Sequence, residues 1–225
     1  NNFLYQLLGV KSITVVPGGS PMMQEMGKLA DNLRQQGRKP YIVPGGASNA
    51  VGALGYVQCA QEVMQQMFAQ NLSFDHMVVP SGSAGTHAGF LLGMLACHMD
   101  IPVTGIGVNR KKPVQEEAVY TLMRETAALV GVDMDIPRSA VVAYDDYVGP
   151  GYSLPTDAMV EAVTLLARTE GILLDPVYSG KAMSGLMDLA RKGHFEKGSR
   201  VLFLHTGGSP ALYAYQDTFR AAWGK

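Results

Sequence analysis

The sequence predicts an α/β fold with a mainly parallel sheet flanked by helices on both faces. Short β-branched or apolar runs alternate along the chain with longer segments whose apolar residues recur at helical spacing. Clusters of Gly and Pro mark the junctions. Several of the apolar runs are followed by glycine-rich loops, the side on which an open α/β sheet holds ligands, because the strands' carboxyl ends lie there.

Each element can be argued in turn. Residues 13–16 (Ile-Thr-Val-Val) read as a strand, Pro17-Gly18-Gly19-Ser20 as loop and helix cap, and Met22, Met23, Met26, Leu29, Ala30 and Leu33 as one helix face. Gly37 ends that helix, and residues 40–43 read as the next strand of a right-handed β-α-β unit. Pro44-Gly45-Gly46-Ala47-Ser48-Asn49 then leads into a helix over 50–69. A strand around Val78 is followed by the loop Ser81-Gly82-Ser83-Ala84-Gly85-Thr86 and a helix from His87 to Cys97. Residues 103–108 form a further strand, and Pro113 opens a helix to about Val130 with Val114, Ala118, Leu122 and Leu129 on one face. A strand over 140–143, a helix over 158–167 and a strand over 201–205 complete the alternation. The turn Asp175-Pro176-Val177-Tyr178-Ser179-Gly180-Lys181 also follows an apolar run and precedes a helix.

Composition narrows the function. With 225 residues, 47% of them hydrophobic, the chain can bury a substantial core. Eighteen basic residues against nineteen acidic ones leave no surface charge for nucleic acid or membrane, so a small molecule is the expected ligand. No apolar run is long enough to span a bilayer, and the two cysteines, Cys59 and Cys97, read as buried free thiols suited to the cytoplasm. His76, His98 and His194 lack metal-ligand spacing, so no metal is expected. Asp145 and Asp146 are adjacent and would point to opposite faces of a strand, which favours an edge or capping role over a shared-proton pair.

The glycine-serine loop carries the chemistry. Ser81, Gly82, Ser83, Ala84, Gly85 and Thr86 are small enough for successive backbone N–H groups to converge, and the helix that follows adds its positive end, so the loop suits a phosphate. It has neither the Gly-Lys-Ser/Thr ending of a P-loop nor a dinucleotide-type Gly-x-Gly-x-x-Gly, which points to a phosphorylated cofactor such as pyridoxal 5'-phosphate (PLP). An ordinary glycine-rich strand-to-helix turn is the alternative.

Taken with Pro44-Gly45-Gly46-Ala47-Ser48, Thr86-His87-Ala88-Gly89, Pro150-Gly151-Tyr152, Leu174-Asp175-Pro176-Val177-Tyr178-Ser179-Gly180-Lys181-Ala182 and His205-Thr206-Gly207-Gly208-Ser209-Pro210-Ala211-Leu212, the chain resembles the D-cysteine desulfhydrase and 1-aminocyclopropane-1-carboxylate (ACC) deaminase family of PLP enzymes of fold-type II. The resemblance implies a tryptophan synthase β-like fold, with residues 1–44 a remnant of the smaller domain and 45–225 the larger, cofactor-binding one. It implies that residues 81–86 cradle the cofactor phosphate, that Tyr152 and Tyr178 flank the substrate, that Thr206 lies near the pyridine nitrogen, and that Gly207 also binds the cofactor. The family's Schiff-base lysine segment and its carboxylate-gripping Gln-Ser-Asn-His string do not occur here, so the N-terminal third of the family fold is expected to be missing. Lys181 is read as a companion lysine with a packed stem and a solvated head.

Ser179 and Thr206 occupy the positions where ACC deaminases carry glutamate and leucine. A hydroxyl beside the pyridine nitrogen leaves it largely neutral, a weaker electron sink that still suffices to expel a thiolate. The implied reaction is β-elimination of D-cysteine to pyruvate, hydrogen sulfide and ammonia in a cytoplasmic homodimer. L-cysteate sulfo-lyase and ACC deaminase activities are the alternatives, as is a catalytically silent chain that only binds a phosphorylated ligand.

Overall fold

The structure, a computed structural model, describes residues 2–224. The chain divides into two compact units, one up to Ala47 and one from Ser48.

The first unit contains helix α1 (Asn2–Leu7), helix α2 (Met22–Gln35) and a 3-10 turn at Gly45–Ala47. Helix α2 matches its apolar spacing, but Ser20 does not cap it; the cap position falls on Pro21 and no side chain closes the end. The strands expected at 13–16 and 40–43 are absent, and with them the first β-α-β unit. A strand exists only as one side of a hydrogen-bonded ladder. Among the described residues neither segment has a ladder partner, and their side chains stand in solvent, Val15 at 88% and Tyr41 at 74% exposure.

The second unit is a four-stranded parallel sheet: β1 (His76–Ser81), β2 (Val103–Gly107), β3 (Val142–Tyr144) and β4 (Val201–Phe203), in the order β3-β2-β1-β4. The register sets Met77 opposite Val103 and Ser81 opposite Gly107, with Val78 opposite Phe203 on the other side. Strand β3 begins two residues later than the sequence indicates, since residues 138–140 form a 3-10 turn, and β4 stops at Phe203. The alternation of β1 is complete. Met77 and Val79 enter a core with helices α3 (Ala50–Ala69), α4 (Gly85–Ala96) and α5 (Lys112–Val130), while Val78 and Ile106 face helix α7 (Ser179–Arg191) on the other side of the sheet. Helix α6 (Asp157–Glu170) packs on α7, and α8 (Gln216–Ala222) on α6.

The helix ends follow from local chemistry. Asn49 caps α3 by accepting from the Gly52 amide at 2.8 Å, and Thr156 caps α6 by accepting from the Met159 amide at 3.2 Å. Left-handed Gly131 and Gly171 stop α5 and α6. Asp145 takes the capping role, its carboxylate accepting from the Lys112 amide at 3.0 Å, and that bond with the nearby Lys111 ammonium holds its carboxyl below the usual range. Helix α4 is buried everywhere except Thr86 and its last two residues. Gly89 and Gly93 let it lie directly on α3: a Cβ on Gly89 would stand 2.2 Å from the Ala53 carbonyl oxygen, and one on Gly93 would stand 2.6 Å from the Ala60 Cβ.

Candidate functional site

The parallel sheet brings the carboxyl ends of its strands to one edge. Strand β1, flanked by β2 and β4, runs straight into the glycine-serine loop and α4. Ser81 closes the strand and is almost fully buried; its carbonyl accepts from the Val108 amide at 3.1 Å. Ala84, at the N-cap of α4, adopts a left-handed φ of 88°, and its methyl side chain offers the helix no cap. A non-glycine residue in that region costs about 1–3 kcal/mol and marks a backbone held in shape by its surroundings. The helix ladder begins with Ala88 N–H on the Ala84 carbonyl, which leaves the amides of the first turn without intrahelical acceptors.

Ser48 shapes the loop from the α3 side. Its hydroxyl donates to the Ser83 hydroxyl at 2.7 Å and accepts from the Gly85 amide at 3.1 Å. Arg110 lies behind the loop, its guanidinium donating to the Gly82 carbonyl at 3.3 Å and to Gln115 Oε1 at 3.5 Å. Gln115 Nε2 in turn donates to Ser81 Oγ at 2.8 Å, and Ser81 Oγ meets His87 Nδ1 at 3.1 Å. Ser81 Oγ thus joins Gln115 to one ring nitrogen of His87, and the other ring nitrogen is Nε2. That atom is the one buried side-chain polar atom without a partner among the described residues, and burial pushes the His87 pKa down to about 4.

The turn before α7 forms the facing wall. Asp175 is buried, and its two carboxylate oxygens accept from the amides of Val177, Tyr178 and Ser179 and from the Ser179 hydroxyl, all at 2.7–2.8 Å. This side chain caps α7, which has no other cap. The Tyr178 ring consequently lies over the loop: a Cβ on Gly82 would stand 3.0 Å from Tyr178 Cε1 and 3.1 Å from the Val108 side chain. Tyr178 and Tyr152 meet edge to face, with ring centroids 5.8 Å apart and hydroxyls hydrogen-bonded to one another. Burial, reinforced by that bond, raises the Tyr178 pKa well above the usual phenol range. The loop after β4 joins the wall through left-handed Gly208, where a Cβ would stand 2.8 Å from the Asp175 side chain. His205 is a structural donor and acceptor there, bonded to the Leu173 carbonyl and to the Gly207 amide, each at 3.0 Å.

The structure thus brings together residues 81–86, Tyr178 and Tyr152. Thr206 and Gly207 belong to the loop that packs beside them. Ser179 is turned away: it is fully buried and its hydroxyl is committed to Asp175. Lys181 differs from the solvated head expected of it. It has no exposure, its ammonium donates to the carbonyls of Val148 and Gly151 at 2.6 and 2.8 Å, and desolvation lowers its pKa. Arg110 was not legible as a site residue, and Ser48 and Asp175 were legible only as members of candidate loops; the Asp-Pro pairing before a helix hints at the capping role of Asp175.

Glycines 82 and 85 whose Cβ would crowd Tyr178 and Ser48, a helix whose N-cap residue offers no side-chain acceptor and a strained loop fit a phosphate held by main-chain amides. A parallel α/β sheet with such a cradle at the carboxyl end of a central strand, faced by two phenols, suits a protein that binds a phosphorylated cofactor. The comparisons agree and are more specific. The model of the pyridoxal-phosphate dependent enzyme family matches residues 1–207, and the chain belongs to that family. It is 43% identical over 215 residues to a D-cysteine desulfhydrase of Yersinia enterocolitica, covering 96% of this chain and 64% of the relative. It is 45% identical over 192 residues to a D-cysteine desulfhydrase of Serratia proteamaculans, covering 85% and 57%. The crystal structure of an ACC deaminase homologue superimposes with a TM-score of 0.87 at 35% identity, over 97% of this chain and 65% of that one. The chain therefore spans about two thirds or less of the length of these relatives. No helix among the described residues is long and apolar enough to cross a membrane.

Proposed function

We propose that the chain supplies the cofactor cradle and one substrate wall of a D-cysteine desulfhydrase, which converts D-cysteine and water to pyruvate, hydrogen sulfide and ammonia. The observation that carries this is the Tyr178–Tyr152 pair set directly over the glycine-serine loop. PLP bound there supplies the electron sink that makes the α-proton acidic and the β-sulfur a leaving group.

The chain's own residues then have separate tasks. The backbone of residues 81–86 and the first turn of α4 hold the phosphate, with Thr86 and Ser83 the loop residues open to solvent. Tyr178 stays protonated at neutral pH, as its raised pKa requires. Two phenols that share one hydrogen bond keep one O–H free to donate outward. That donor suits the carboxylate of a small amino acid or the departing sulfur. Thr206 offers a hydroxyl, not a carboxylate, to the pyridine nitrogen. On the same reading the protein works in the cytoplasm as a homodimer.

The test is sulfide release. A D-cysteine desulfhydrase carrying residues 1–225 as its matching portion releases sulfide from D-cysteine and gives little or no ammonia from ACC or sulfite from L-cysteate. Release of sulfite or of ACC-derived ammonia at the higher rate would replace the reading with one of the alternatives. In the 225-residue chain alone, borohydride reduction after mixing with PLP gives no stoichiometric lysine adduct; a single adduct at one lysine would place the covalent attachment within these residues.

A further inference from the structure

We propose that Lys181 is a positioning residue that fastens the loop 148–152, and so sets where the Tyr152 hydroxyl meets Tyr178.

Burying a lysine is expensive. An ammonium taken from water costs several kcal/mol unless its donors are matched, and an apolar side chain of the same length would fill the space without that cost. Among the described residues no carboxylate forms an ion pair with Lys181. Its donors go to two main-chain carbonyls three residues apart, Val148 at 2.6 Å and Gly151 at 2.8 Å. These stand at either end of the turn that delivers Tyr152.

The turn has little internal support. Gly149 and Ser153 are left-handed, at φ of 67° and 65°, and Gly151 is at 159°. Pro150 has no amide to donate. The backbone bonds near it are long, Val148 N–H to the Asp145 carbonyl at 3.4 Å and Leu154 N–H to the Gly151 carbonyl at 3.3 Å. Short bonds come from outside, from Lys181 and from the Tyr215 hydroxyl, which donates to the Ser153 carbonyl at 2.6 Å. Lys181 also lies one helical turn after Tyr178, the N-cap of α7. A single turn of one helix therefore carries one tyrosine of the pair and the side chain that holds the loop of the other.

This positioning stands on geometry; its effect on turnover rests on the proposed substrate role of the tyrosine pair. Two measurements on the full chain test it. Reductive methylation of the native protein, mapped by mass spectrometry, should modify exposed Lys28 and Lys111 at least tenfold faster than Lys181. Modification of Lys181 at the surface rate would overturn the proposal. In Lys181→Met, hydrogen exchange should rise severalfold in peptides covering 148–154 and stay unchanged in α3 and α4, with Lys181→Arg closer to the parent. A folded Lys181→Met with unchanged exchange at 148–154 would also overturn it. If that variant does not fold, methylation of the parent decides.

In a complete enzyme, Lys181→Met should lower kcat/KM for D-cysteine about tenfold, mainly through KM, with cofactor binding retained. Adding Tyr152→Phe should cost little more. Full activity of Tyr152→Phe beside raised exchange in Lys181→Met would remove the substrate role and leave the loop-fastening intact.

Discussion

At the scale of single residues, His87 determines most. It is fully buried beside Ser81 and Gly105, and its folded pKa of about 4 lies below the roughly 6.5 of an exposed imidazole. The unfolded chain therefore binds a proton between those values that the folded one does not. With respect to His87, stability is complete above pH 6.5 and falls as pH drops toward 4, by a total of about 3 kcal/mol. Chemical denaturation from pH 7 to 4 should show one fewer proton linked to unfolding in His87→Gln, whose side chain does not titrate. Gly105 makes room for this ring, since a Cβ there would stand 2.4 Å from its Cε1 and Nδ1. Gly105→Ala should cost about 1–3 kcal/mol, measured as a lower denaturation midpoint, and most of that loss should disappear in a His87→Ala background. None of this was legible in the sequence, where His87 reads only as the start of a helix. Burial and hydrogen-bond partners come from residues far along the chain, as Gln115 and Gly105 do. Asp145 was legible because its partner, the Lys112 amide, neighbours a predicted helix start.

At the scale of elements, strand readings held where a run finds a parallel neighbour and failed at 13–16 and 40–43, although those runs also end in glycine-rich loops. The run 76–81 has parallel partners on both sides, whereas the two early runs have none among the described residues. Apolar patterning specifies a strand's faces, but only a neighbour supplies its hydrogen bonds. The capping of α7 is an element-scale device with a direct test. Asp175→Asn puts an amide group among donors that need acceptors, so it should lower stability by about 3 kcal/mol and loosen Tyr178, read as a melting shift and as faster exchange at 176–179. The same turn constrains any exchange of substrate preference. Ser179→Glu would press a second carboxylate against buried Asp175, so it should destabilise the chain far more than Thr206→Leu does in the same melting assay. The short 3-10 segment Ser209–Tyr215 and helix α8 had no sequence signal, since Pro210 and a run of mixed side chains mask their period.

At the scale of the molecule, the two units differ in how they use apolar residues. Among the described residues, the three apolar core clusters all lie in the second. In the first, Phe3, Leu7, Leu8, Val15, Met22 and Met23 are each more than half exposed. Apolar surface on that scale promotes association. The purified 225-residue chain should elute well above its 24.1 kDa monomer mass and bind a hydrophobic dye, and Leu7→Glu with Leu8→Glu should reduce both effects. A different consequence follows from the placement of the glycine-serine loop. Strand β1 lies inside the sheet and α4 is the most enclosed helix, so the loop between them joins two of the best-protected segments of the chain. An anion arriving there finds its amides already aimed and loses no affinity to ordering them. On the proposed reading, affinity for the phosphate is thereby set by segments other than the loop 148–152 that carries Tyr152, so a change in that loop would leave the anchored end of the cofactor in place.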